Sequence, residues 1–214
     1  MKRNIFTFVA FFMMFALTAQ QAADSKAILD KAHAAYETSQ GIQLTFKSTT
    51  TETDGTVYAP QSGTAKIKGN RFKIDTEPME IWFDGTTQWV WMKEVNEVNV
   101  SNPTGEEIAA ISPLALLGMY KQGYRYQPAT SKTVNGKKCY LIEMIATSPD
   151  APFKTISVAV DKNTHSVVQV ILKMKENLTT QIDIGSYNAN YKFEDNAFVY
   201  DKSLHPDVEI IDLR

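Results

Sequence analysis

The sequence predicts a mainly β protein with some α: an antiparallel sheet of about eleven strands, curved into an incomplete barrel and covered by helices. Apolar and polar residues alternate with period two in stretch after stretch, which is typical of a sheet with one apolar and one solvated face. Turn pairs such as Asp-Gly and Asn-Gly recur about every ten residues, the spacing of antiparallel strands. Strands do not alternate with long helices, which argues against a parallel sheet.

The start of the chain is predicted to be a secretory signal peptide, residues 1–22, rather than part of the fold. A short basic start leads into the apolar run Ile5–Leu17, and small residues follow at 18–23. We expect cleavage between Gln20 and Asp24. The apolar run is shorter than the roughly 20 residues that span a bilayer, and an uncleaved membrane anchor is the alternative.

Residues 23–214 are expected to form one exported domain, which is long enough to bury a core. Lys and Arg number 22 against 24 Asp and Glu, without a basic block, which argues against nucleic-acid binding. Cys139 is the only cysteine, so the chain has no intrachain disulfide. That usage suits a bacterial periplasmic protein, and the strand pattern around Cys139 predicts a packing residue.

The first helix and the first strand follow the signal segment. Ser25 is predicted to cap the helix, and an apolar stripe at helical spacing identifies its buried face. The stripe consists of Ile28, Leu29, Ala32, Ala35 and Tyr36. Gly41 ends the helical segment, and a strand from Ile42 continues to Thr53, where Asp54-Gly55 turns the chain back.

Short strands joined by tight turns then run from Ala65 to Val100, with Asp84-Gly85 as the strongest hairpin signal. The alternation predicts that one set of apolar residues shares the concave face of the sheet. The set is Ile42, Leu44, Phe46, Ile67, Phe72, Ile74, Ile81, Phe83, Trp89 and Trp91. Trp82 is then expected to be an exposed aromatic on the convex face, marking a partner surface.

The β rhythm is interrupted between Pro103 and Gly123. Residues 106–111 predict a short helix with acidic residues in its first turn, and Ser112-Pro113 restarts a second helical piece. This piece is apolar nearly all round. It is either plain core or a mobile lid over an apolar cavity. The lid residues are Leu114, Leu116, Leu117, Met119 and Tyr120.

Strands resume after Gly123 and are predicted to continue to the end of the chain. An Asn135-Gly136 turn and the loop 148–153 separate some of them. The predicted strands are Tyr124–Gln127, Lys138–Ala146, Thr155–Asp161, Ser166–Met174, Leu178–Ser186, Phe198–Tyr200 and Val208–Ile211.

Catalytic and metal-binding signatures are missing from the sequence. His33, His165 and His205 lie far apart and do not form a metal-binding spacing on one element. The sequence contains no nucleophile elbow, phosphate-binding loop or dinucleotide fingerprint. We therefore expect neither an enzyme nor a bound cofactor or metal.

Taken in order, the sequence motifs resemble a known family. They are Gly41–Phe46, Gly63–Phe72, Phe83–Trp91, Pro113–Leu117, Phe198–Tyr200 and Pro206–Asp212. This order is similar to that of the periplasmic outer-membrane lipoprotein carrier proteins, the LolA-like family. The resemblance spans nearly the whole chain after the signal segment.

The resemblance implies a periplasmic carrier that holds acyl chains of lipoproteins, or another lipid, in an apolar half-barrel. Its partners would be an inner-membrane transporter and an outer-membrane acceptor, and we expect a monomer. The implied ligand-binding residues are Leu44, Phe46, Ile67, Phe72, Ile74, Ile81, Phe83, Trp89 and Trp91. The family's Arg-Pro pair, whose Arg helps to latch the lid, is missing, and Lys68 or Arg71 is the possible substitute.

Two other functions stay open on the sequence alone. The same fold can act as an envelope sensor or interaction module that binds a protein partner without transporting lipid. An enzyme with a site assembled from distant residues is the remaining alternative.

Overall fold

The computed structural model describes residues 24–111, 123–175 and 177–214. They open in helix α1, residues 24–37, and include a second helix, α2, Gly105–Ile111. Two 3₁₀ turns follow at Asp195–Phe198 and Lys202–Leu204. The strands are β1 Ile42–Thr51, β2 Gln61–Lys68, β3 Arg71–Thr76, β4 Met79–Phe83, β5 Gln88–Met92, β6 Glu97–Ser101, β7 Tyr124–Tyr126, β8 Thr130–Val134, β9 Lys137–Ala146, β10 Phe153–Asp161, β11 Val167–Met174, β12 Thr179–Asn188 and β13 Glu209–Asp212.

These strands form one open sheet, which confirms the predicted fold class. The strand order is β13-β6-β5-β4-β3-β2-β1-β12-β11-β10-β9-β7, and β8 pairs with β9 beside β7. β13 lies parallel to β6, so the prediction of an antiparallel sheet is wrong at that edge. The chain crosses the convex face after β12, so that β13 enters the edge of the sheet in the same direction as β6.

The predicted signal segment 1–22 lies outside the described residues, and the domain boundary stays a prediction.

The main core lies on the concave face, which α1 and α2 cover. Leu29 and Ala32 of α1 are buried in it, and Ile108 and Ile111 of α2 pack against the same core. The buried strand residues of this core include Ile42, Leu44, Ile67, Phe72, Ile74, Ile81, Phe83, Leu172, Ile182 and Ile184. Phe46 packs against the same core, so eight of the ten predicted concave residues lie there.

Trp89 and Trp91 lie on the convex face, so the prediction for them is wrong. The pairing of β4 with β5 places Val90 opposite Ile81 and Trp89 opposite Trp82. Residues 89–92 are apolar on both faces, so alternation within β5 does not choose between the faces. The hairpin between β4 and β5 decides which face each residue of β5 takes. Its loop contains an even number of residues, so odd-numbered residues of β4 lie opposite even-numbered residues of β5.

A second core covers the convex face of β4 to β6. It contains Trp82, Val98 and Val100 of the sheet, with Tyr200 and Val208 from the C-terminal segment. Trp82 is only 6% exposed, so the expectation of an exposed partner surface there is wrong. The predicted strand Phe198–Tyr200 is instead the end of a 3₁₀ turn and the residues after it, which lie over this face.

Two smaller predictions concern Ser25 and Cys139. Ser25 does not cap α1, because residue 24 is already helical; its buried hydroxyl donates to the Gln127 carbonyl oxygen at 2.7 Å. Cys139 is fully buried beside Val134 and Val168, which confirms the predicted packing role. Burial raises the pKa of its thiol, which disfavours the reactive thiolate.

Candidate functional site

An apolar cavity of about 260 Å³ lies within the concave face of the sheet. Its apolar lining comes from β1 and from strands on both sides of β1, together with the last residue of α2. These residues are Leu44, Phe46, Ala65, Ile67, Ile74, Met79, Ile81, Ile111, Leu172, Met174, Ile182 and Ile184. The volume is close to the lower end of ordinary small-ligand pockets, about 300 Å³.

The sequence located five of the lining residues in advance: Leu44, Phe46, Ile67, Ile74 and Ile81. Phe72 and Phe83 belong to the same core, with ring centroids 5.2 Å apart, but they are not among the residues that line the cavity. Trp89 and Trp91 face away from it and are excluded from the candidate site.

The far wall of the cavity was missed by sequence reasoning. Leu172 and Met174 on β11 and Ile182 and Ile184 on β12 supply it. A signal was present, because Ile182 and Ile184 alternate with polar residues. Only the pairing of β1 with β12 shows that this wall joins the predicted one.

The remaining lining residues are polar but uncharged: Ser48, Gln61, Thr76 and Thr180. The Thr76 hydroxyl donates to the Met79 carbonyl oxygen at 3.0 Å, and the Thr180 hydroxyl shares a 3.0 Å hydrogen bond with the Thr50 hydroxyl. Among the described residues, no acid, base or nucleophilic thiol lines the cavity. The described lining therefore offers a mainly apolar surface to a ligand.

Helix α2, beside the cavity, begins with a capping box. The Thr104 backbone N–H and hydroxyl donate to Glu107 Oε2 at 2.7 and 2.9 Å, and the Glu107 N–H donates back to the Thr104 hydroxyl at 3.3 Å. The hydrogen bond from the Thr104 backbone N–H lowers the pKa of the Glu107 carboxyl. Ile111, the last residue of the capped helix, lines the cavity.

The predicted lid residues Leu114, Leu116, Leu117, Met119 and Tyr120 lie outside the described residues. The lid and the plain-core alternatives for that segment stay predictions.

The two latch candidates sit at the turn between β2 and β3. Lys68 pairs with Arg71, out of phase with the cavity residues of these strands. The Arg71 guanidinium lies 5.2 Å from the centroid of the Phe198 ring, on the convex side. The Tyr36 hydroxyl of α1 donates to the Gly69 carbonyl oxygen in this turn, and burial raises the pKa of Tyr36 to about 12. A latch between either cation and the lid segment stays a prediction.

Two further properties concern only the part of the chain that the structure describes. None of its helices combines the length and the apolar character that crossing a membrane requires. It also lacks a group of three or more His, Cys, Asp or Glu side chains arranged to hold a metal ion.

Similar folds occur among solved structures of low sequence identity. A protein from Thermus thermophilus matches with a TM-score of 0.59 and 8% identity, covering 88% of this chain and 99% of that one. A DUF1329 family protein from Desulfovibrio piger matches with a TM-score of 0.51 and 14% identity, covering 86% and 98%. A LolA superfamily protein from Nitrosomonas europaea gives 0.46 and 14%, covering 83% and 98%.

No curated protein matches this sequence. The family model described as outer membrane lipoprotein carrier protein LolA, in contrast, matches residues 15–178. The matched range contains β1 to β11, with most of the cavity lining. The chain therefore belongs to the LolA outer membrane lipoprotein carrier family.

Proposed function

We propose that this protein is a periplasmic carrier that binds acyl chains of lipoproteins, or of another lipid, in the apolar cavity and delivers them toward the outer membrane. One observation carries the proposal: an apolar cavity, free of charged lining residues among those described, on the concave face of the sheet. Family membership supports the same function.

The energetics suit a carrier. Burial of a methylene group is worth about 0.8 kcal/mol, so acyl chains do not leave a membrane for water without a protein to receive them. Met79 and Met174 in the cavity wall give it adaptable surface for chains of different shape. A carrier needs no chemical step, in agreement with the uncharged lining.

The partners in this proposal are an inner-membrane transporter that loads the carrier and an outer-membrane acceptor that unloads it. Delivery in one direction requires that the acceptor bind the lipid more tightly than the carrier does. The protein acts as a monomer without a cofactor.

Binding of a fluorescent acyl probe tests the cavity directly. Met174 is partly exposed at the cavity wall, so Met174→Glu introduces a carboxylate there without burying it in the deepest core. We expect it to weaken probe binding about tenfold or more while the circular dichroism spectrum is retained. Leu204→Glu is the matched control, since Leu204 is 71% exposed in the C-terminal segment.

Native mass spectrometry of the protein isolated from periplasm provides an independent test. A bound lipid or acylated protein supports the carrier. A wild-type protein that takes up no acyl probe and carries no lipid contradicts it, and a folded protein partner bound to such lipid-free protein favours the sensor function instead.

A further inference from the structure

A second, more polar pocket adjoins the acyl-chain cavity. It has a volume of about 500 Å³ and includes Gln88, Ser101, Asn102, Glu107 and Arg214 in its lining. Ile111 of α2 lines both this pocket and the apolar cavity. Ile111 is therefore a wall that the two spaces share.

Gln88 is the unusual residue of this pocket. It pairs with Phe83 of β4 and with Ser101 of β6, so its side chain shares the concave face with the main core. Only 6% of Gln88 is exposed, and its Oε1 atom has no hydrogen-bond partner among the residues that the structure describes. An unpaired buried amide oxygen is destabilising, so a residue of this kind calls for a partner that the free protein does not supply.

The charged residues of the pocket are already paired. Glu107 Oε2 accepts the two hydrogen bonds from Thr104 at the start of α2. Arg214 Nε and Nη2 donate to the two carboxylate oxygens of Asp212 at 2.9 and 2.5 Å. Each charge thus has a partner within the protein, whereas Gln88 Oε1 is a buried acceptor without one among the described residues.

We infer that Gln88 accepts a hydrogen bond from an uncharged donor, an amide N–H or a hydroxyl, located next to the acyl chain of the ligand. The inference rests on the proposed carrier function and extends it. The chain lies in the apolar cavity, and the amide or hydroxyl passes Ile111 to reach Gln88. The preferred cargo is thus an N-acylated or hydroxylated lipid rather than one whose only polar group is an ester.

The test compares two probes with the same twelve-carbon chain, dodecanamide and methyl dodecanoate, as competitors of a fluorescent acyl probe. The ester is the more apolar compound and lacks a donor. Without a partner for its N–H groups, the amide would bind more weakly than the ester. In the wild type we expect the amide to bind at least as tightly as the ester, and a weaker amide overturns the inference.

Gln88→Met removes the carboxamide and preserves the length of the side chain. We expect it to lower the ratio of amide to ester affinity about two- to tenfold, with ester binding unchanged. Gln43→Met is the matched control, because Gln43 lies on β1 between two buried residues of the opposite phase. If Gln88→Met does not fold, the wild-type comparison still decides.

Failure of the carrier function and failure of this inference give different results. If the wild type binds neither the fluorescent acyl probe nor either compound, the proposed function itself is wrong. If both bind and Gln88→Met leaves their ratio unchanged, only the inference is wrong. A preference for dodecanoate over both compounds, lost in Arg214→Gln, also overturns it, because Arg214 rather than Gln88 would then be the polar anchor.

Discussion

The Trp82 and Tyr200 rings meet edge to face on the convex side of the sheet, with centroids 5.3 Å apart and ring planes at 70°. Lys73 Nζ lies 4.6 Å from the centroid of the same indole. The C-terminal segment thus covers the outside of β4 to β6 while α1 and α2 cover the inside. On the other face of β4, Met79 and Ile81 line the cavity.

Removal of the Tyr200 hydroxyl is expected to leave the protein as stable as the wild type or more stable. The hydroxyl oxygen is buried and has no hydrogen-bond partner among the described residues. Tyr200→Phe removes this unpaired polar group and retains the ring contact with Trp82. Urea unfolding should show a free energy of unfolding within about 1 kcal/mol of the wild type, or above it.

Tyr200→Ala serves as the comparison, since it removes the ring as well. We expect it to lower the free energy of unfolding by about 3 kcal/mol or more. If Tyr200→Phe is as damaging as Tyr200→Ala, the hydroxyl has a partner and the ring packing is not what stabilises the segment.

Trp82 and Ile81 show which part of the fold the sequence pattern predicted and which part it did not. Both lie in β4, and alternation correctly separated their faces, because the side chains of successive strand residues point in opposite directions. Alternation alone did not reveal that the face of Trp82 is covered. Its cover comes from Tyr200 and Val208, far away in sequence and without a periodic pattern of their own.

In the candidate site as well, some residues were predicted from the sequence and others were not. Leu44 and Ile67 were predicted because β1 and β2 are consecutive and alternate clearly. Leu172 and Ile184 were missed because β12 joins β1 across most of the chain. Gln88 was missed because a polar residue in a strand is normally assigned to the solvated face, and only the register with Phe83 places it inside.

Stability is expected to fall in acid because of Asp183. Burial raises the pKa of this carboxyl, but amide donors from Gln181, Gln169 and Asn135 at 2.8, 2.7 and 3.1 Å outweigh it and leave the pKa below its usual value. A lowered folded-state pKa stabilises the protein above the unfolded-state pKa of about 3.9. That contribution is lost as pH falls through the folded-state pKa.

Asp183→Asn removes the charge that the three amides stabilise. We expect a loss of about 1–2 kcal/mol in the free energy of unfolding at pH 7 and a smaller difference from the wild type near pH 3. Glu94→Gln, at an exposed turn, is the control. Its free energy of unfolding should change with pH in the same way as that of the wild type. An Asp183→Asn profile parallel to that of the wild type across this range would contradict the assignment.

Gly63 is expected to resist substitution, although it lies within a strand. It pairs with Phe46, and a Cβ at position 63 would come within 2.9 Å of the Phe46 ring and still closer to the Asp75 carbonyl oxygen. Gly63→Ala should therefore destabilise the protein by about 1–3 kcal/mol and weaken acyl-probe binding, because Phe46 lines the cavity. Thermal unfolding and probe titration measure the two effects.

Gly105→Ala is the matched control, because a Cβ at this helical position would meet no atom within 4 Å. We expect it to be neutral or slightly stabilising, as alanine favours the helix over glycine. If Gly63→Ala and Gly105→Ala lose the same amount of stability, the backbone freedom of glycine rather than the contact with Phe46 would explain the requirement for glycine at 63.

The cap of α2 is expected to control how long a ligand stays in the cavity. Thr104→Ala removes the hydroxyl side of the capping box, at a cost to the helix of about 1 kcal/mol. Because α2 carries Ile111 at the cavity wall, we expect a bound acyl probe to dissociate about fivefold faster, as a change of that size predicts. Thr104→Ser preserves the hydroxyl, and we expect the acyl probe to dissociate from this variant at the wild-type rate. Stopped-flow fluorescence distinguishes these results, and equal rates in all three proteins would mean that α2 does not retain the ligand.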